Sequence, residues 1–503
     1  MNRIAKVILW LATISLVLAG QALAQEKRPL TFDDLIGFGR VSDPQVSPGG
    51  QRVAYVVDYY DKDTNARSSN LWVASLTSGD NRRLTRTEKR DRWPRWAPDG
   101  KTLGFLSNRS GSWQVWTIRA DGGEAIQLTE LPVDITAFEW SPTGEQLVFA
   151  ADVYPDCEDL ECTKKRDEEK AQSGVSAALY DRLLYRHWDA WWDGKRTHVF
   201  VRPAQGGEAR DLTPGDWSVP AYLDGSQGFS LSPNGSELAF SRNTDANAAW
   251  STNGDVWTVS TSGGEPNRLT TNPAWDGSPQ YSPDGKSIAY LAMERAGFEA
   301  DRTRLVLYER ATGERRELTP EFPNSVSDFV WAPDSQSLYF ISSVNARHPL
   351  HQVSLADGRI RKVVDGYNSA PTISPDGTTL VFTQQAMNRP AEVFRAGMRG
   401  GGAKPVSHIN DEGLAELEMN PGESFTVEGA KGTPVQSWLL KPPGFDPAKK
   451  YPVVVLIHGG PQGTWGDQFH YRWNAQMFAA PGYVAVMPNP RGSPGWGQKF
   501  VDE

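Results

Sequence analysis

The sequence predicts an all-β, seven-bladed propeller followed by the first part of an α/β domain with a mostly parallel sheet. Two observations predict it. A small-Pro-x-Gly turn recurs seven times between residues 47 and 377, and beyond Gly402 the pattern changes to long apolar runs ending in glycine turns.

The chain opens with a secretory pattern. Arg3 and Lys6 precede an apolar run from Val7 to Gly20, and Ala22-Leu23-Ala24 supplies small residues where cleavage is expected. Residues 1–24 are therefore read as a signal peptide, with a retained membrane anchor as the alternative. The run is short for a bilayer span of about 20 residues. No later stretch is apolar enough to span, so no stable membrane association is expected after cleavage. Cleavage would remove two bases and no acid, taking the net charge from −9 to −11. An acidic chain without a basic tract is a poor partner for nucleic acid.

The repeat carries most of the chain. The turns are Ser47-Pro48-Gly49-Gly50, Ala97-Pro98-Asp99-Gly100, Ser141-Pro142-Thr143-Gly144, Ser232-Pro233-Asn234-Gly235, Ser282-Pro283-Asp284-Gly285, Ala332-Pro333-Asp334-Ser335 and Ser374-Pro375-Asp376-Gly377. Proline pre-sets φ at the first corner of such a turn, and glycine at its end tolerates positive φ. After each turn comes a short alternating strand, then an aromatic strand such as Asp255-Val256-Trp257. A Gly-Gly hairpin and a Leu-Thr ending follow, the latter at Leu84-Thr85, Leu128-Thr129, Leu212-Thr213, Leu269-Thr270 and Leu318-Thr319. Four short strands in about 45 residues make one propeller blade. A β-sandwich would not repeat one turn chemistry seven times. The propeller is placed at residues 25–415.

Successive turns start 50, 44, 91, 50, 50 and 42 residues apart. The long interval implies an insertion of about one blade length, placed at about 151–197. Its first half is charged and reads as a helix. Its second half, Leu179 to Trp192, is aromatic and reads as packed on the propeller rim. Cys157 and Cys162, the only cysteines, lie in it. A disulfide is the favoured reading, ahead of a metal site or two free thiols.

Residues 416–503 read as the opening of the second domain. Glu423 to Glu428 and Pro434 to Lys441 are strands. Val453 to Ile457 is a strand of the kind buried on both faces. A helix over Phe469 to Ala479 and a strand over Tyr483 to Met487 follow. The apolar strand ends in His458-Gly459-Gly460-Pro461. A His-Gly-Gly turn after a buried strand is what an α/β-hydrolase uses for half of its oxyanion hole, because glycine lets a backbone amide approach the reacting carbonyl.

Tyr451-Pro452-Val453-Val454-Val455 running to His458-Gly459-Gly460-Pro461, together with Asn489-Pro490-Arg491-Gly492-Ser493, resembles the prolyl oligopeptidase family of serine peptidases. Within it the similarity is to the bacterial dipeptidyl-peptidase and acylaminoacyl-peptidase branch. WD40-like or TolB-like blades fit that branch as well. The resemblance implies an enzyme that cleaves short peptides near the amino terminus by acyl-enzyme chemistry and uses no cofactor, and the secretory start predicts export to the periplasm. It assigns the amide of Gly460 as an oxyanion donor. Dipeptidyl-peptidase and acylaminoacyl-peptidase activities both remain open, as does the oligomeric state.

One departure stands out. The nucleophile of an α/β-hydrolase sits in Gly-x-Ser-x-Gly, and no such motif occurs in the 503 residues. The expectation is a sequence cut short before its Ser-Asp-His triad, inactive as it stands, with about 150–200 residues needed to complete the domain. The alternative is a TolB-like propeller acting as a protein-binding module.

A peptidase working from the amino terminus must hold the substrate's ammonium, for which carboxylates in the insertion are candidates: Glu168 and Glu169, beside Asp167. The opposing reading is an ordinary solvated helix, with Lys165 and Glu169 spaced i, i+4.

Overall fold

The computed structural model describes residues 27–187, 189–221, 227–460 and 462–503; the expected signal sequence lies outside them. Seven four-stranded antiparallel sheets follow one another, over residues 40–83, 91–127, 135–211, 229–268, 276–317, 326–364 and 367–405. In each, neighbouring strands follow sequence order, so every sheet is a local meander.

The recurring turns join the first and second strands of each sheet. In all seven the amide of the fourth residue donates to the carbonyl of the first, as from Gly50 to Ser47 at 2.8 Å and from Ser335 to Ala332 at 3.0 Å. The fourth residue has φ between +59° and +74° every time, which explains glycine at six of the positions. The Leu-Thr ending also has a physical role. The hydroxyls of Thr85, Thr129, Thr213, Thr270 and Thr319 accept from the amides of Leu71, Val115, Val199, Val256 and Leu305, at 2.8–3.0 Å and always 14 residues apart. Ser407 does the same for Val393 in the seventh sheet. Each hydroxyl satisfies a buried donor that the short fourth strand does not reach.

Apolar side chains from adjacent sheets fill the space between them, as where Phe240 and Leu238 of the fourth meet Val148 and Val199 of the third. Tryptophan indoles add cross-sheet bonds: Trp96 donates to Gln45 O at 2.8 Å and Trp140 to Arg95 O at 3.2 Å. Val53 and Tyr55 of the first sheet share a cluster with Val381 and Val393 of the seventh, which closes the ring.

The insertion interrupts the third sheet between its second and third strands, Gln146–Val153 and Arg196–Pro203, so it spans 154–195 rather than 151–197. The charged half forms the expected helix, Leu160–Gln172, capped by the Asp159 side chain at Cys162 N. Cys157 and Cys162 are disulfide-bonded, with Cα atoms 5.6 Å apart. Of the aromatic half, Leu179, Tyr185 and Trp191 are not packed on the rim, whereas Trp192 lies half-buried beneath Arg196 of the third sheet. Leu179 is 99% exposed and Trp191 61%. Tyr180, Tyr185 and Trp191 stack on one another instead, at 5.2–6.1 Å between ring centres.

The second region holds one four-stranded sheet in the order Glu423–Glu428, Pro434–Leu440, Val484–Pro488, Val453–Val455. The last two strands are parallel, and the rest of the sheet is antiparallel. The helix between the parallel pair is only Ala475–Ala479, shorter than expected, because Asn474 caps it by accepting from Gln476 N. The apolar run is not buried on both faces. Val453, Val455 and Ile457 are 60%, 53% and 75% exposed on an edge strand, while Val454 and Leu456 turn inward.

The boundary between the regions also shifts. Arg28 pairs with the chain at Glu416 and Glu418, and Leu30, Leu35 and Phe38 cluster with Leu417 and Phe469. Residues 28–38 thus link the two regions, since Asp33 also pairs with Lys62, in a loop of the first sheet, at 2.8 Å. Gly39 is pinned to Asn410 through both its amide and its carbonyl, at 2.8 and 2.9 Å.

Candidate oxyanion loop

The parallel strand pair aims the 458–463 loop. Val454 and Val455 pair with Ala485 and Val486, so the chain leaves the sheet at Leu456 and turns at His458. Gly460 has φ +127°, and a Cβ there would lie 2.4 Å from Gln462 N and 2.8 Å from Gly463 N. Only glycine fits such a turn. Among the described residues its amide has no acceptor, and the residue is exposed. It is a free backbone donor on a constrained loop.

Two side chains hold the loop from behind. His458 Nε2 lies 3.0 Å from Ser493 Oγ, and that hydroxyl donates to Pro490 O at 2.7 Å. With its proton committed there, Ser493 Oγ is left to accept from His458 Nε2, while His458 Nδ1 lies 2.9 Å from Gly459 O, so both ring nitrogens face acceptors. Ser493 is fully buried, so this Ser-His pair is a lock on the loop and not an accessible nucleophile with its base. Asn489 is the second anchor. Its side chain accepts from Trp465 N at 2.7 Å and donates to Gln436 Oε1 at 2.6 Å and Trp465 O at 3.0 Å. The indole of Trp465 donates to Leu456 O at 2.9 Å, tying the loop's far end back to the strand.

The ring presents its loops to this region. Asp467 N donates to Ala346 O at 2.9 Å, and Met387 N donates to Asp467 Oδ1 at 3.0 Å. Asn345 N donates to Gly495 O at 3.1 Å, and Gly497 N to Asn324 Oδ1 at 2.8 Å. Arg295 pairs with Asp502 at 2.9 Å. Burial and Tyr367, stacked at 3.9 Å, surround His348 here, and that burial pushes its imidazole down to about 4.

The comparisons decide the family. A family model described as TolB beta propeller domain matches residues 37–167, and one described as prolyl oligopeptidase family matches residues 469–503. A dipeptidyl-peptidase 5 of Porphyromonas gingivalis is 31% identical over 491 residues, covering 94% of this chain and 69% of that protein. The chain belongs to the prolyl oligopeptidase family. A Bacillus subtilis relative of this family, described as an uncharacterized peptidase, is 28% identical and covers 95% of the chain and 73% of its own length. Acylaminoacyl peptidase of Pyrococcus horikoshii shares the fold, with a TM-score of 0.73 at 20% identity over 95% of this chain and 68% of that one.

Against the residues chosen from sequence, the structure places Gly460 on the constrained loop and bonds Cys157 to Cys162. It does not bring Glu168 and Glu169 into a cavity. Both are exposed on the insertion helix, and Glu169 sits 3.9 Å from Lys165 across one turn. Asp167, their neighbour, is taken by Lys195 at 2.7 Å and the Tyr154 hydroxyl at 2.9 Å. The lock residues His458, Ser493 and Asn489 lie within the family motif, but no spacing rule links residues 31 or more positions apart.

Proposed function

We propose that this chain is the propeller and the oxyanion-loop segment of an exported serine peptidase that acts near the amino terminus of short peptides. The seven sheets are read as the seven blades, and the 416–503 region as the opening of an α/β-hydrolase domain. The observation that carries the reading is the free Gly460 amide on a constrained, exposed loop at the end of a parallel strand. A binding propeller has no use for a glycine held at φ +127° on a loop tied by His458 to the buried Ser493. A single oxyanion donor is worth about 3 kcal/mol of transition-state stabilisation.

The 503 residues contain no Gly-x-Ser-x-Gly, so by themselves they should lack acyl-transfer activity. The test compares two preparations against dipeptidyl and acylaminoacyl chromogenic substrates. The protein produced from its own gene in its own cell should turn them over, and the purified 25–503 polypeptide should not. Turnover by the polypeptide that survives further purification would overturn the inactivity. In the active protein, Gly460→Val should lower kcat by roughly 100-fold with KM little changed, because the donor acts on the tetrahedral intermediate. An unchanged kcat would remove the loop from the mechanism.

A further inference from the structure

A cavity of about 880 Å³ lies between the insertion and the third and fourth sheets. The insertion supplies Leu183, Leu184, Trp191 and Trp192; Trp217 comes from the connection between the two sheets, and Trp250 from a loop of the fourth. That volume suits a ligand of several residues' side chains, and the lining sets four tryptophans and two leucines among charged and polar groups such as Asp181, Arg182, Asp216 and Asp245. None of the residues holding the oxyanion loop takes part.

Its position follows from the topology. Among the loops joining second and third strands, those around Arg295, Asn345 and Met387 meet the α/β part. The insertion and the 243–254 loop are the same kind of connection in the third and fourth sheets. Thr252 Oγ1 accepts from Gly297 N at 2.9 Å, two residues from the Arg295–Asp502 pair, so one loop separates the cavity wall from the α/β part.

The walls are pre-organised. Asp216 holds Arg182 and Arg196 at 2.8 Å each, and both guanidinium groups lie over Trp192, at 4.5 and 4.7 Å. The insertion is thereby latched to the third sheet. The two anchors stay open: Trp191 is 61% exposed and Trp250 77%. The charges are unbalanced. Both cations are committed to Asp216, whereas Asp181 and Asp245, which also line the cavity, have no cation partner among the described residues.

We propose that this cavity is a side-chain site for peptides, taking a large apolar, above all aromatic, side chain and disfavouring a carboxylate next to it. It rests on the peptidase reading for the class of ligand and on geometry for everything else. An aromatic ring stacks on the tryptophan anchors and leaves water. A neighbouring acidic residue meets Asp181 and Asp245 without a counter-charge.

Binding of fluorescein-labelled hexapeptides to the 25–503 polypeptide, read by anisotropy, tests this without any turnover. A peptide with a central Phe should bind about 10-fold more tightly than its Ala counterpart, as expected for burying one large side chain. Asp beside the Phe should weaken binding about threefold relative to Asn, a difference that Asp181→Asn reduces and high salt erases. Trp250→Ala should abolish the Phe preference while leaving far-UV circular dichroism unchanged, since the side chain is exposed. Leu183→Ala, also exposed, should halve the preference or more. Equal binding of Phe and Ala peptides, no binding of either, or equal weakening of both by Trp250→Ala would overturn the site. A failed peptidase assay beside an intact binding series would sink the enzymatic reading alone.

Discussion

The ring and the α/β part are built from the same kind of strand, yet they stand differently toward their surroundings. In the ring, the second strands of the second to sixth sheets are buried along most of their length, with neighbours on both faces; in Ser287–Ala292 and Ser337–Ser342 every residue is buried. In the α/β part, the apolar strand Val453–Val455 leaves alternate side chains in the open. The core of that part also borrows from the ring: Ala346 and Met387 lie in one cluster with Trp438, Leu440 and Met487. The difference teaches that apolar composition assigns a strand but not its burial, which depends on what the rest of the fold brings alongside.

The largest test of this comparison is Trp438→Ala. Trp438 is 2% exposed, lies at the centre of the shared cluster and donates to Trp465 O at 2.9 Å. Truncation should cost about 3–5 kcal/mol. If the ring is self-sufficient, limited proteolysis will clip the chain beyond residue 416 and leave the ring intact. Loss of both regions in one calorimetric transition would break the distinction.

A pH series should sharpen it. Burial pushes the Asp276 carboxyl, at the start of the fifth sheet, up to about 7, although it accepts from Asn272. A raised acid favours the folded state where it is protonated. Its contribution is therefore complete below about pH 4 and is lost as pH rises toward 7. The urea midpoint of the ring transition should fall over that window, and Asp276→Asn should flatten the fall. An identical slope in the variant would show that other groups are responsible.

The smallest effects compare one residue type in two places. Thr213 is fully buried and caps Val199 N, so Thr213→Ala leaves a donor unsatisfied and should cost about 1–2 kcal/mol, with Ser restoring most of it. Thr426, exposed on the edge strand Glu423–Glu428, should tolerate alanine within about 0.5 kcal/mol. Equal midpoints for the two variants would deny the capping role.

The turn motif made the ring legible because its chemistry is local: four residues specify a hydrogen bond and a positive φ without help from the rest of the chain. The Leu-Thr ending was visible as a repeat, but its purpose was not, since the amide it caps lies 14 residues earlier. Gly460 was legible for the same local reason as the turns. The lock on it was not, because His458 and Ser493 meet only after the sheet has brought two loops together. The aromatic half of the insertion misled in a different way. Tryptophans predict burial, and here Trp191 stacks on two tyrosines and faces open space.

The strap of residues 28–39 has a consequence for the order in which the protein is made. Gly39 bonds to Asn410, 371 positions later, and also meets the Tyr471 hydroxyl, 432 positions later. The first described segment of the chain is thus among the last to find its partners. Each sheet, being a local meander, is free to form as its own residues emerge, whereas the strap waits for the whole ring. Until then Leu30, Leu35 and Phe38 have no cluster to join. A holdase that shields residues 28–39 during synthesis would protect apolar side chains whose partners lie hundreds of positions later.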